Sequence, residues 1–126
     1  MAAIHNEKIL IVDDAMFMRY TIKKALQNGG YVNFIEAGDV QDALSSYQEH
    51  KPDLVTMDIT MPGKSGIEGL QEIMKVDPAA RVVMVSAAGQ KPKVIEALKL
   101  GAKHFIVKPF KEEDLIKIVH SILGKA

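Results

Sequence analysis

The chain has 126 residues, 48% of them hydrophobic and 25% charged, which suits a globular domain large enough to bury a real core. Its 16 Lys and Arg balance 16 Asp and Glu, arguing against a nucleic-acid binder that works through bulk positive charge, and with no cysteine disulfides, zinc–thiolate centres and thiol catalysis are excluded. The N-terminal MAAIHNEK has no apolar signal core and no stretch approaches 18 apolar residues, so the expectation is a soluble, cytoplasmic protein of one domain, residues 1–126 with a core at about 8–124.

The first apolar run, KILIVD at 8–13, drives into two adjacent acids, Asp13 and Asp14. Met18, Ile22, Ala25 and Leu26 then mark one face of a helix, which Gly29-Gly30 stops. A second run, VNFIE at 32–36, leads to Glu36-Ala37-Gly38. Asp39 is placed to cap a helix striped by Val40, Ala43, Leu44 and Tyr47. Pro52 marks a loop before DLVTMD at 53–58, which ends in Asp58. A helix with Ile67, Leu70 and Met74 comes next, then Pro78 and the run RVVMVS at 81–86, ending in Ser86. Val94, Leu98 and Gly101 mark the fourth helix. HFIVK at 104–108 ends in Lys108 before Pro109, and Leu115, Ile118, Val119 and Ile122 stripe a last helix that Gly124 closes.

The runs are short and apolar on both parities, which predicts strands covered on both faces. Five consecutive βα units with right-handed crossovers give an α/β fold: an open, doubly wound, five-stranded parallel sheet with five helices. In such sheets ligands bind beyond the carboxyl ends of the strands, near the point where strand order switches.

The residues at those ends are Asp13, Asp14, Asp58, Ser86 and Lys108. Each has an ordinary reading alone: Asp14 as a helix cap, Asp58 as a turn residue, Ser86 as a capping hydroxyl, Lys108 as a solvated lysine. Together they bring three carboxylates, a hydroxyl and an ammonium to one rim. Three clustered acids do not all ionise without a compensating cation. All-oxygen donors are hard, so the expected cation is Mg2+. A cation, an ammonium and a hydroxyl around one carboxylate suit a phosphoryl group, and Asp58 reads as the nucleophile that receives it as an acyl phosphate. No Gly-rich phosphate loop is present, so the donor is expected to be a phosphorylated protein or small phosphodonor rather than a directly bound nucleotide.

ILIVDD, MDITMPGKSG, VSAAG and FIVKPF together resemble the response-regulator receiver domain, and most closely its stand-alone chemotaxis type. The resemblance spans about residues 8–124. It implies the flavodoxin-like strand order 2-1-3-4-5 and a phosphoacceptor rather than a turnover enzyme, one that can assist its own phosphorylation and dephosphorylation. Asp58 would take phosphate from a histidine kinase. Asp14 and Asp58 would hold Mg2+ directly, Asp13 through water, and the backbone carbonyl of Thr60 would complete the protein ligands. Lys108 would pair with Asp58, Ser86 would move onto the phosphoryl oxygen, and Phe105 would turn inward as the switch. Lys108-Pro109 would be cis. The fourth helix, fifth strand and fifth helix would then change their preference for a target, such as a flagellar motor switch component, with a phosphatase as a further partner; the protein is expected to be a monomer. Phe105 stands where some members have tyrosine, so its switching would act through packing alone. Ala88, beside the phosphoryl position, cannot hold a hydrolytic water. Lys91, Lys93, Lys99, Lys103 and Lys111 gather near the fourth helix, either as a solvated face or as a docking surface for an acidic partner.

Other readings fit less well. A haloacid-dehalogenase-type phosphatase wants D-x-D after its first strand, whereas Asp58 is followed by Ile59 and Thr60. A flavodoxin-like flavin binder needs a phosphate loop where this chain has DDAMFM. A relay receiver, passing its phosphate to a histidine phosphotransfer domain, stays open beside the target-binding role.

Overall fold

The computed structural model describes residues 3–125, so Met1, Ala2 and Ala126 of the expected domain lie outside the described residues. Five strands alternate with five helices: β1 His5–Val12, α1 Met16–Asn28, β2 Tyr31–Ala37, α2 Val40–His50, β3 Leu54–Asp58, α3 Gly66–Val76, β4 Val82–Ser86, α4 Lys91–Lys99, β5 His104–Val107 and α5 Glu112–Ile122. All strand pairs are parallel and the order is β2-β1-β3-β4-β5, as expected.

The two-sided apolar runs explain the layering. Along β1, Leu10 and Val12 join the core beneath α2, α3 and α4, with Val40, Ala43, Leu70, Ile73, Val94 and Ala97. The alternating Ile9 and Ile11 join the opposite core beneath α1 and α5, with Ile22, Leu26, Leu115 and Val119. Every residue of β3 and of β4 is buried, which is how a central strand covered on both faces behaves. The order switches between β1 and β3, so the crevice opens beyond Val12 and Asp58.

Several boundaries and contacts differ from the sequence reading. β1 begins at His5, three residues before the apolar run, and reaches Tyr31 through a register irregularity between His5 and Lys8. That segment alternates between exposed and half-buried, so it carries no continuous apolar signal. Leu98, placed on the inner stripe of α4, is 39% exposed, and the buried positions are Val94 and Ala97. On α3, Ile73 is fully buried while Met74 packs at the margin. The expected cap Asp39 is observed: its carboxylate accepts from the Asp42 N–H at 2.8 Å. Asp14 does not cap α1: Ala15 occupies the N-cap position with no side-chain cap, and Asp13 accepts from the Ala15 N–H at 2.9 Å in the turn before the helix.

Candidate functional site

Asp58 is the last residue of β3 and shares its alternation with buried Leu54 and Thr56. The turn from Asp58 into α3 is tight. The Gly66 N–H donates to the Ile59 carbonyl at 2.7 Å, and a methyl group on Gly66 would sit 2.0 Å from the Asp58 carbonyl oxygen. Only glycine lets the first turn of α3 lie against the backbone of the phosphoacceptor candidate. Ser65 and Glu68 close that helix end with a reciprocal capping box. Gly66 is a positioning residue the sequence reading missed, although the run MPGKSG was its signal.

Asp13, directly after β1, is buried, and Asp14 is exposed. One carboxylate oxygen from each of Asp13, Asp14 and Asp58 can be chosen so that all lie within 4.8 Å of one another. The Lys108 ammonium lies 3.3 Å from Asp58 Oδ1 and 3.4 Å from Asp13 Oδ2. Lys108 comes directly after the last residue of β5, where its N–H donates to the Ser86 carbonyl at 2.7 Å and its bond to Pro109 is cis. Of the three clustered carboxylates, two thus pair with the Lys108 ammonium. Burial raises the Asp58 pKa above the usual carboxylate value; Asp13 and, more weakly, Asp14 push it the same way, and Lys108 offsets part of the rise. A divalent cation would supply the missing charge, and the all-oxygen donor set fits a hard ion such as Mg2+.

Ser86 is buried at the end of β4 and alternates with Val82 and Met84, on the face that also receives Phe105. Both line a mostly apolar groove of about 330 Å3 between α4 and β5, with Val94, Ile95, Leu98 and Val107. Phe105 is half-buried and packs against the core edge. Thr60 is exposed, two residues beyond Asp58, and its hydroxyl accepts from Gln90 Nε2 at 2.6 Å. The structure therefore brings Asp13, Asp14, Asp58 and Lys108 into one cluster and sets Ser86, Thr60 and Phe105 on the loops and strand beside it. Glu36 belongs elsewhere: it pairs with Arg19 at 3.1 Å and Lys23 at 3.6 Å. Arg19 also donates to the Asp13 carbonyl at 2.7 Å, tying α1 to the acidic turn. Arg19 and Gln90 end the runs DDAMFMR and SAAGQ, but the sequence reading gave neither a role. The five lysines near α4 are all exposed.

Comparison with known proteins bears on the same elements. Residues 9–120 match the family described as "Response regulator receiver domain". The chemotaxis protein CheY of Thermotoga maritima is 47% identical over 117 residues, covering 93% of this chain and 98% of that protein. CheY of Bacillus subtilis is 49% identical with the same coverage. Among solved structures, NtrX from Brucella abortus superposes with a TM-score of 0.90 at 34% identity, over 95% of this chain and 27% of that one. A CheX–CheY–BeF3–Mg2+ complex from Borrelia burgdorferi gives 0.88 at 38% identity, over 93% of this chain and 89% of the matched one.

Proposed function

This chain belongs to the response-regulator receiver family, with chemotaxis proteins among its relatives, and from that premise we propose that it is a phosphorylation-driven switch whose acceptor is Asp58. The observation that carries this reading is the cluster itself: three carboxylates converge within 4.8 Å, with the Lys108 ammonium 3.3 Å from Asp58. The donor is a phosphohistidine of a sensor kinase. An Asp58 oxygen attacks phosphorus, the P–N bond breaks, and its electron pair returns to the imidazole. No catalytic base is needed, because the nucleophile is already a carboxylate; the site's work is positioning and charge neutralisation.

Mg2+ fits the donor set: Asp14 and Asp58 would hold it directly, Asp13 through water and the Thr60 carbonyl as a further protein ligand, and it would supply the positive charge that the transferring group needs. Lys108 orients Asp58 and then pairs with the phosphoryl oxygen. Ser86 donates to that group. Its movement opens space on the strand face it shares with Phe105, which fills it by packing. The readout is the surface of α4, β5 and α5. There the apolar groove has partly exposed Ile95, Leu98 and Val107 and exposed Lys91 in its lining, which suits a partner with apolar anchors and an acidic flank, such as a flagellar motor switch component. The Borrelia complex holds CheX on CheY with BeF3 and Mg2+, and a partner that removes the phosphate is proposed here by analogy. Among the described residues no helix is long and apolar enough to cross a membrane, and the proposed setting is the cytoplasm, as a monomer of one domain.

The test is phosphotransfer from a phosphorylated chemotaxis-type histidine kinase, with the wild-type chain beside Asp58→Asn. The reading expects label to move to the wild type only, in a manner that depends on Mg2+. Label on Asp58→Asn would refute it. Rapid passage of label onward to a histidine phosphotransfer protein, with no change in target binding, would favour the relay role.

A further inference from the structure

Gln90 holds both sides of the site's mouth. Its Oε1 accepts from the Ala87 N–H at 2.8 Å, and its Nε2 donates to Thr60 Oγ1 at 2.6 Å. Thr60 lies just beyond β3 and Ala87 just beyond β4, so one carboxamide spans the two loops that flank Asp58. Gln90 occupies the N-cap position of α4, yet its side chain makes no capping hydrogen bond to that helix. Its polar atoms are committed to the rim instead.

The donor it occupies matters. Ala87 is the residue directly after Ser86, at the strand end where a phosphoryl group on Asp58 would arrive. Neighbouring N–H groups are already used: Ile59 donates to the Val85 carbonyl and Lys108 to the Ser86 carbonyl. The Ala87 N–H has a single hydrogen, and a carboxamide oxygen and a phosphoryl oxygen cannot both take it at full strength. A phosphoryl oxygen carries charge and is the stronger acceptor, so the exchange can run forward, but against the two bonds Gln90 gives up.

We propose that Gln90 is a latch: it holds Ala87 N–H and the Thr60 hydroxyl in the resting protein and must release both when a phosphoryl group on Asp58 claims the Ala87 N–H. This rests on the phosphoacceptor reading above. The latch lowers the site's affinity for a phosphoryl group and keeps the β3–α3 and β4–α4 loops in the resting arrangement until the group is in place. Gln90 acts through Ala87 and Thr60 and is a positioning residue.

The experiment uses the full chain with Mg2+ and beryllofluoride, a tetrahedral phosphoryl mimic. Wild type, Gln90→Leu and Gln90→Asn are compared by titration and by the amide signal of Ala87. Loss of net hydrogen bonds worth about 1 kcal/mol predicts beryllofluoride binding about fivefold tighter in Gln90→Leu. Asn is one methylene too short to span the gap and should match Leu. In the free protein, the Ala87 amide of either variant should shift and exchange with solvent faster than in wild type, while beryllofluoride-bound Ala87 signals should coincide across all three. Unchanged or weaker binding in Gln90→Leu would overturn the latch, as would a free-state Ala87 amide insensitive to the substitution. Failure of the wild type itself to bind the mimic would instead overturn the phosphoacceptor reading, and the latch with it.

Discussion

Replacing Lys108 by methionine keeps the stem and removes the ammonium that faces Asp58 and Asp13. At 3.3 and 3.4 Å, each attraction is about 5 kcal/mol gross at an effective dielectric near 20. Desolvation offsets most of that. Lys108 is about a quarter exposed while its partners are nearly buried, so the net loss on breaking the cluster should fall below the fully buried case, at about 1–3 kcal/mol. The pH dependence comes from Asp58. Its folded pKa already lies above its unfolded value, and Lys108 is what restrains the rise; without Lys108 it rises further. A raised carboxylate pKa means that the folded state binds more protons, so stability is full below the unfolded value and falls as pH climbs through the folded one. The gap between wild type and Lys108→Met should therefore be small near pH 4 and widen toward pH 8 in metal-free urea titrations. With the competing ammonium gone, Mg2+ should bind the variant more tightly, by roughly fivefold per kcal/mol relieved. A gap that is flat with pH, together with weakened Mg2+ binding, would refute the view that Lys108 neutralises this cluster.

Three further outcomes are expected. Asp14→Ala should leave metal-free stability within about 0.5 kcal/mol of wild type and weaken Mg2+ binding, whereas Asp13→Ala should also lose the hydrogen bond to the Ala15 N–H, worth about 1 kcal/mol; calorimetric Mg2+ titration and urea melts separate the two. Thr56 buries a hydroxyl with no hydrogen-bond partner among the described residues, so Thr56→Val, which keeps the shape, should raise stability by about 1 kcal/mol, read as a higher urea midpoint with an unchanged slope. Gly66→Ala forces a methyl group to within 2.0 Å of the Asp58 carbonyl oxygen and should cost about 1–3 kcal/mol or more; in the folded fraction, phosphorylation of Asp58 should slow as α3 is pushed away.

The strands and the rim acids could be read from the chain because they depend on local pattern. A strand buried on both faces must be apolar on both parities, and the polar residue that ends such a run must lie at the sheet's edge. Asp58, Ser86 and the Asp13-Asp14 pair stand at or directly beyond the ends of their strands for that reason. Contacts between loops distant in sequence leave no such pattern. Gln90 meets Thr60 across 30 positions, and although MPGKSG marks a turn, the backbone approach that requires glycine at Gly66 appears only in three dimensions. Helical spacing misplaces Leu98 because it marks a stripe without saying where it meets the sheet; α4 buries Val94 and Ala97 and leaves Leu98 to the outer groove. The adjacent aspartates are half explained by sequence: repulsion marks an anionic pocket, but neither caps α1, and Asp13 instead holds the turn before it through the Ala15 N–H.

The central claim is that Asp58 receives the phosphoryl group within a cation-dependent anionic pocket. Its most direct test is peptide-resolved mass spectrometry after incubation with acetyl phosphate, with and without Mg2+. The account predicts a gain of one phosphoryl mass on the peptide containing Asp58, dependent on Mg2+ and absent from Asp58→Ala. No gain in the intact folded protein, or an equal gain in Asp58→Ala, would contradict it.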